Sequence, residues 1–351
     1  MLNFVQLNNF RKMLNEKQLY KIGRCSGLKH KNHHKKSIRN FIKHHKTTML
    51  KLQTPVIDEP CKVGISYNDK IMMIGSCFSD NIGKQLKDFG FNVCINPFGT
   101  LYNPKSIANS IERLVSGEKF TKNDCIQMGS GSDKWCSFMH HTSFADSDKS
   151  TFLSKANTSL LEAREFFKDC NKVIITLGTS WCFKWNSSGE IVSNCLKRDA
   201  KEFTRVRLTL EEASKSLKDI VKTSNSFGKE KEFIFTVSPI RHFKDGAHGN
   251  QLSKSTLLLA CERMRKNLRS NMPFFAIDYF PAYEIMMDEL RDYRFYADDM
   301  IHPSPLAIDY IRQRFLLWAL PKEEHNTLEA NIKAFKRSQH INLMSQKFWF
   351  V

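Results

Sequence analysis

The chain has 351 residues, 41% of them hydrophobic and 26% charged, enough to bury a large core in one or two globular domains. No apolar run approaches the ~18 residues of a membrane-spanning helix, and the first residues lack the apolar stretch of a secretory signal. The ten cysteines include no C-x-x-C pair, so reduced, mostly buried thiols and a cytoplasmic location are expected.

The formal net charge of +18 is unevenly placed. Residues 1–48 hold twelve Lys/Arg and a single acid, Glu16, for +11, which leaves +7 for the other 303 residues. That segment, with "KHKNHHKKSIRNFIKHHK", reads as a flexible basic extension, and contact with nucleic acid is expected only through it. The body of the protein is expected over 49–320, followed by a helical tail over 321–351 packed on it.

Short apolar runs at 71–75, 91–95, 173–178, 233–237 and 274–278 predict buried strands. Helical periodicity falls between them, at 80–89, 104–116, 152–168, 208–224, 253–271 and 304–318. Ser253 is expected to cap the fifth of these helices. Residues 117–150 read as an irregular insertion, and "FKWNSSGEIV" as a hairpin turning at Ser188-Gly189. Strand–helix alternation of this kind predicts a parallel sheet with helices on both faces.

In such sheets ligands bind beyond the carboxyl ends of the strands. Four polar segments follow predicted strands: Gly75-Ser76-Cys77-Phe78, Asn96-Pro97-Phe98-Gly99-Thr100, Gly178-Thr179-Ser180, and Ser238-Pro239-Ile240-Arg241-His242. A fifth, "YADDMIHPSP", holds Asp299 and His302 at D-x-x-H spacing. Acyl transfer needs a nucleophile, a base, a carboxylate to orient the base, and N–H donors for the oxyanion. Ser76 or Cys77 can supply the first, the helix N-terminus favouring a thiolate at Cys77. His302 and Asp299 can supply the base and its orienter. Gly99 and Gly178 let backbone N–H groups approach a substrate closely. The pairs His140-His141 and His242/His248 could meet over the site, but none has the H-E-x-x-H spacing, so no metal and no cofactor are expected.

The blocks "IGSCFSDNIG", "NPFGTLYNP", "VIITLGTSWCF", "VSPIRHFKDGAHGNQLSKSTLL" and "YFPAYEIMMDELRDYRFYADDMIHPS" resemble the successive blocks of the GSCFA family. The fifth residue of the name-giving motif is Ser79 here instead of alanine. The resemblance spans roughly residues 50–320. It implies a three-layer α/β/α, flavodoxin-like fold, as in the SGNH (GDSL-like) hydrolases with which that family is grouped. Aligning the Gly-Asp-Ser block of those hydrolases on Gly75-Ser76-Cys77 without a gap places Cys77 at the nucleophile position. Gly99 matches their oxyanion glycine, with Asn96 in the same block, and Asp299 and His302 match their Asp-x-x-His. Their Gly-x-Asn block meets Gly178-Thr179-Ser180, so serine stands where the oxyanion asparagine is expected. The resemblance implies an acyl-ester hydrolase or acyltransferase acting on a small-molecule or glycan ester. Apart from it, the polar stretch "RHFKDGAHGNQLSKS" between a strand and a helix reads as a substrate-binding loop, with Arg241 or His242 contacting an anionic or hydroxylated substrate. A catalytically weak glycan- or lipid-binding module is the alternative. Oligomeric state has no signal in the sequence.

Overall fold

The computed structural model describes residues 53–56, 59–271 and 274–347. The basic extension at 1–48 lies outside the described residues. Five strands form one wholly parallel sheet: β1 (Lys70–Gly75), β2 (Asn92–Ile95), β5 (Lys172–Leu177), β9 (Glu232–Val237) and β10 (Ile277–Phe280). The spatial order is β10-β9-β5-β1-β2. Counted along the chain, this is the flavodoxin-like order 2-1-3-4-5, whose direction reverses between β1 and β5.

All but the first residue of β1, β5 and β9 are buried, which explains why these strands read as continuous apolar runs instead of alternating ones. Successive side chains still go to opposite faces. Ile71, Met73, Ile174 and Ile234 pack under helices α1 (Cys77–Asp88) and α6 (Pro305–Ala319), whose Phe78, Ile82, Ile311 and Phe315 complete that layer. Met72, Ile74, Val173, Ile175 and Phe233 face the other layer. There α2 (Pro104–Ser116), α3 (Lys149–Asp169), α4 (Leu210–Asn225) and α5 (Gly246–Asn271) supply Ile107, Phe152, Leu217, Leu257 and Met264. Each fully buried aliphatic or aromatic side chain contributes about 1.5–3 kcal/mol, so the two layers supply the main favourable term.

The expected insertion is a short hairpin of β3 (Ile126–Gln127) and β4 (Trp135–Cys136) between single helical turns. The predicted hairpin forms from β6 (Trp181–Trp185) and β7 (Ile191–Val192), with Gly189 at φ +76° in the turn. A third strand, β8 (Phe203–Arg207), joins the open edge of β6 and has no counterpart in the sequence reading. α7 (His325–Lys347) follows the domain, with Asn331 donating to the Phe89 carbonyl at 2.9 Å and Phe335 edge-on to Phe89. No described helix is long and apolar enough to cross a membrane.

Candidate functional site

β1 ends at Gly75, where φ is +154° and any Cβ would lie 2.2 Å from the Thr176 carbonyl oxygen of β5. Only glycine allows the two strands to approach this closely before the chain turns into α1. Asn96, at φ +43°, closes the end of the strand from the other side. Its Oδ1 accepts the Gly75 amide at 2.8 Å and its Nδ2 donates to Asp80 at 2.6 Å. Asn96 thus joins β1, β2 and the first turn of α1.

Ser76 is the N-cap of α1, 1% exposed, its hydroxyl accepting the Phe78 amide at 3.4 Å. Cys77 is the first helical residue and is half-buried at the switch point. Its thiol is pushed above the ordinary cysteine value, by burial first and by Asp80 next. The amides of Cys77 and Phe78 and the Lys254 charge pull the other way without prevailing. The expectation of a helix-favoured thiolate is therefore corrected: desolvation outweighs the helix N-terminus here.

Asp299 and His302 form a dyad on the loop before α6. The carboxylate takes His302 Nδ1 at 2.6 Å and the amides of Ile301 and His302 at 2.9 Å each. The His302 amide, then the ring, then the Ile301 amide bring Asp299 down to about 2. Met300, at φ +56°, makes the bend that returns His302 over its own partner. Both side chains are about half-exposed, and no hydrogen bond joins His302 to Cys77. The Tyr102 and His242 rings meet edge to face, 6.1 Å apart. Tyr102 lies in the field of Cys77, and His242 in that of His302.

The glycine loops are arranged differently from the sequence expectation. The Gly99 amide already donates to the Asn96 carbonyl at 2.7 Å. With φ +78° and a Cβ position 2.3 Å from His141 Cβ, Gly99 serves a close packing contact. The amides of Gly178 and Thr179 both donate to the Tyr102 carbonyl, at 2.8 and 2.9 Å. Ser180 is wholly buried, and its hydroxyl has no partner. Its amide and the Thr179 hydroxyl meet Ser253 Oγ at 2.8 and 2.9 Å. Ser253 is thus inside α5, which begins seven residues before the expected start, and it is not that helix's cap.

Arg241 donates its amide to the Ile301 carbonyl at 3.1 Å and lies over the Phe243 and Tyr296 rings, tying its loop to the dyad. The His242 amide donates to Asn250 Oδ1 at 2.9 Å, and its Nε2 is buried without a partner. Burial, then the charges of Lys254, Arg205 and His302, bring His242 down to about 3, so its ring is neutral near pH 7. His140 does not join it. It is fully buried among Phe98, Phe120 and Phe144, bonded to Ser137 Oγ at 2.7 Å. Among the described residues, no three His, Cys, Asp or Glu side chains are grouped as a metal would need.

One residue of the site went unnoticed in the sequence. Lys254 of α5 is 1% exposed and donates to the carbonyls of Gly178 and Ser238, at 2.7 Å each. It pins together the loops that leave β5 and β9. Burial brings it down to about 7, with Cys77 pulling it back up. The signal was its register: Lys254, Leu257, Cys261, Met264 and Leu268 fall on one helical stripe, and the last four are core residues.

The GSCFA family model matches residues 70–315. Among solved structures, the chain is similar to a family 3 carbohydrate esterase from Clostridium thermocellum. That match has 9% identity and a TM-score of 0.34, covering 75% of this chain and 98% of that one. It is similar also to an acetyl xylan esterase from the rumen bacterium Butyrivibrio proteoclasticus. There the identity is 12% and the TM-score 0.37, over 72% of this chain and 64% of that one. No curated protein matches it.

Proposed function

The chain belongs to the GSCFA family, and from that premise and the geometry above we propose that it is an acyl-ester hydrolase or acyltransferase with Cys77 as nucleophile. The observation that carries this reading is the Asp299–His302 dyad. With Nδ1 held at 2.6 Å by the carboxylate, the proton-accepting nitrogen of neutral His302 is Nε2. In this scheme Nε2 takes the Cys77 proton and Sγ attacks the ester carbonyl. The alcohol leaves with that proton, giving a thioester on Cys77. Water, or a second alcohol, then gives its proton to His302 and attacks the thioester, releasing acid or a new ester and restoring the thiol.

The amide of Cys77, at the start of α1, is the oxyanion donor we assign first. Gly99, Gly178 and Thr179 then shape the pocket, since their amides are taken by Asn96 and Tyr102. Carbohydrate-linked acyl groups are the substrate class we favour, with Arg241 and His242 on the substrate side and no cofactor in the scheme. The nine cysteines among the described residues are all unpaired, which suits a reducing compartment such as the cytoplasm. The test is turnover of an acyl-ester panel by wild type, Cys77→Ala, Ser76→Ala and His302→Ala. The reading predicts loss in the first and third variants and retention in Ser76→Ala.

A second reading is favoured by the thiol itself. Burial holds Cys77 protonated, and the engaged amides leave few oxyanion donors. A glycan- or lipid-binding module on the same scaffold fits those two facts. Binding that survives His302→Ala, with no turnover of any ester, would select it.

A further inference from the structure

Beyond the carboxyl ends of β9 and β10 lies a cavity of about 510 Å³. Its size is within the ~300–1,000 Å³ typical of small-molecule sites. One wall comes from the loop and helix start at 241–251, the other from the segment 283–296. Phe243, Met286, Met287, Leu290, Tyr293 and Tyr296 make it largely apolar. The wall bearing both methionines is a π-helical turn, Ile285–Glu289, a form that recurs at functional sites. Phe243 and Tyr293 of this lining stay exposed.

Several polar groups of the lining are turned to the protein's own use. The Tyr283 hydroxyl donates to Gln251 Oε1 at 2.9 Å, and Asn250 Oδ1 accepts the His242 amide at 2.9 Å. Arg241 donates to the Met300 carbonyl at 3.4 Å, and Asp292 holds Arg294 at 3.0 Å. A sugar recognised by these groups would have to displace their bonds. An alkyl chain disturbs none of them and gains from each methylene buried, and the flexible methionines adapt to its shape. The Arg241 amide, on one wall of the cavity, donates to the carbonyl of Ile301, the residue before His302.

We propose that this cavity is the acyl-chain subsite, and that the acyl group is an unbranched chain well longer than acetyl. The proposal rests on the ester-cleaving reading for its orientation. It names the acyl side of the substrate and leaves the alcohol side to the carbohydrate-linked class.

Two measurements test it. The first is kcat/KM for p-nitrophenyl acetate, butanoate, octanoate and dodecanoate. Burial predicts a gain of roughly three- to fourfold per methylene until the cavity is full. Ala247 lies exposed in the lining, so Ala247→Trp fills the cavity without disturbing the core, and the octanoate-to-acetate ratio should fall at least about tenfold. The second is binding of a dansyl-labelled fatty acid to Cys77→Ala protein, which needs no turnover. Saturable binding that octanoate displaces, cellobiose does not, and Ala247→Trp abolishes is the expected result. That result without ester turnover would keep the subsite and overturn the hydrolase reading alone. Ester turnover with acetate preferred, an unchanged ratio in Ala247→Trp, or displacement by cellobiose would overturn the subsite.

Discussion

Asp299 holds His302 twice, through Nδ1 at 2.6 Å and through the backbone amide at 2.9 Å. The double contact fixes ring orientation and tautomer together, from a loop whose bend is set by Met300 at φ +56°. A histidine so held needs only a thiol or hydroxyl in reach to serve as a general base.

Asp299→Asn should therefore lower kcat on any ester substrate by on the order of 10³–10⁴, since the amide no longer selects the tautomer with Nε2 free. KM should change little. The same carboxyl sits at about 2 in the folded protein, against ~3.9 in an unfolded chain. Its stabilising contribution is thus complete above ~3.9 and lost as pH falls through about 2. Acid titration followed by the His302 ring resonances would show the dyad parting in that range.

Lys254 carries a different pH signature. It sits at about 7 when folded and at ~10.4 when unfolded. Across that window the unfolded chain holds a proton that the folded protein has released, so unfolding free energy rises with pH. Lys254→Met should abolish this part of the rise in urea titrations run at about pH 7, 8.5 and 10. It should also slow alkylation of Cys77 at near-neutral pH, because the charge that favours the thiolate is gone. A purely structural lysine would leave the alkylation profile of a folded variant where it was.

The thiol's own profile is a further check. Because burial outweighs the helix start, the alkylation midpoint of Cys77 in wild type should lie above that of an ordinary cysteine. A midpoint well below it would mean that the helix start outweighs burial at Cys77.

Two small residues at the head of α1 separate packing from chemistry. Ser76→Ala removes a cap whose bond is long, 3.4 Å, and should cost about 0.5–1 kcal/mol in denaturant titration with turnover kept. Gly75→Ala puts a methyl 2.2 Å from the Thr176 carbonyl oxygen in a pairing that cannot shift without unzipping β1 from β5. Loss of several kcal/mol, seen as failure to accumulate folded protein, is expected.

β1, β5 and β9 were legible because a strand buried on both faces reads as an apolar run, as "IMMIG", "VIITLG" and "FIFTV" do. The last strand was set too early, at 274–278, because Phe274 and Phe275 precede the paired residues Ile277–Phe280. β8 was missed because Phe203-Thr204-Arg205-Val206-Arg207 alternates as a half-exposed strand beside a helix, with no run to mark it. α5 was started too late because Gly246-Ala247-His248-Gly249 has the composition of a turn. At the site, motif spacing pointed to Asp299 and His302, and their contact is local in sequence. The engagement of Gly99, Gly178 and Thr179 was not legible, since it depends on carbonyls of Asn96 and Tyr102 brought in by the loop after β2. Lys254 was overlooked because a lysine in a polar stretch reads as solvated until its helical register is followed into the core.

Intact-mass and peptide mapping of the acyl-enzyme tests the central claim most directly. After a brief reaction with p-nitrophenyl octanoate and an acid quench, one octanoyl group should be found as a thioester on Cys77. The adduct should persist in Ser76→Ala and be missing in Cys77→Ala. An octanoyl ester on Ser76, or full turnover by Cys77→Ala, would contradict the account.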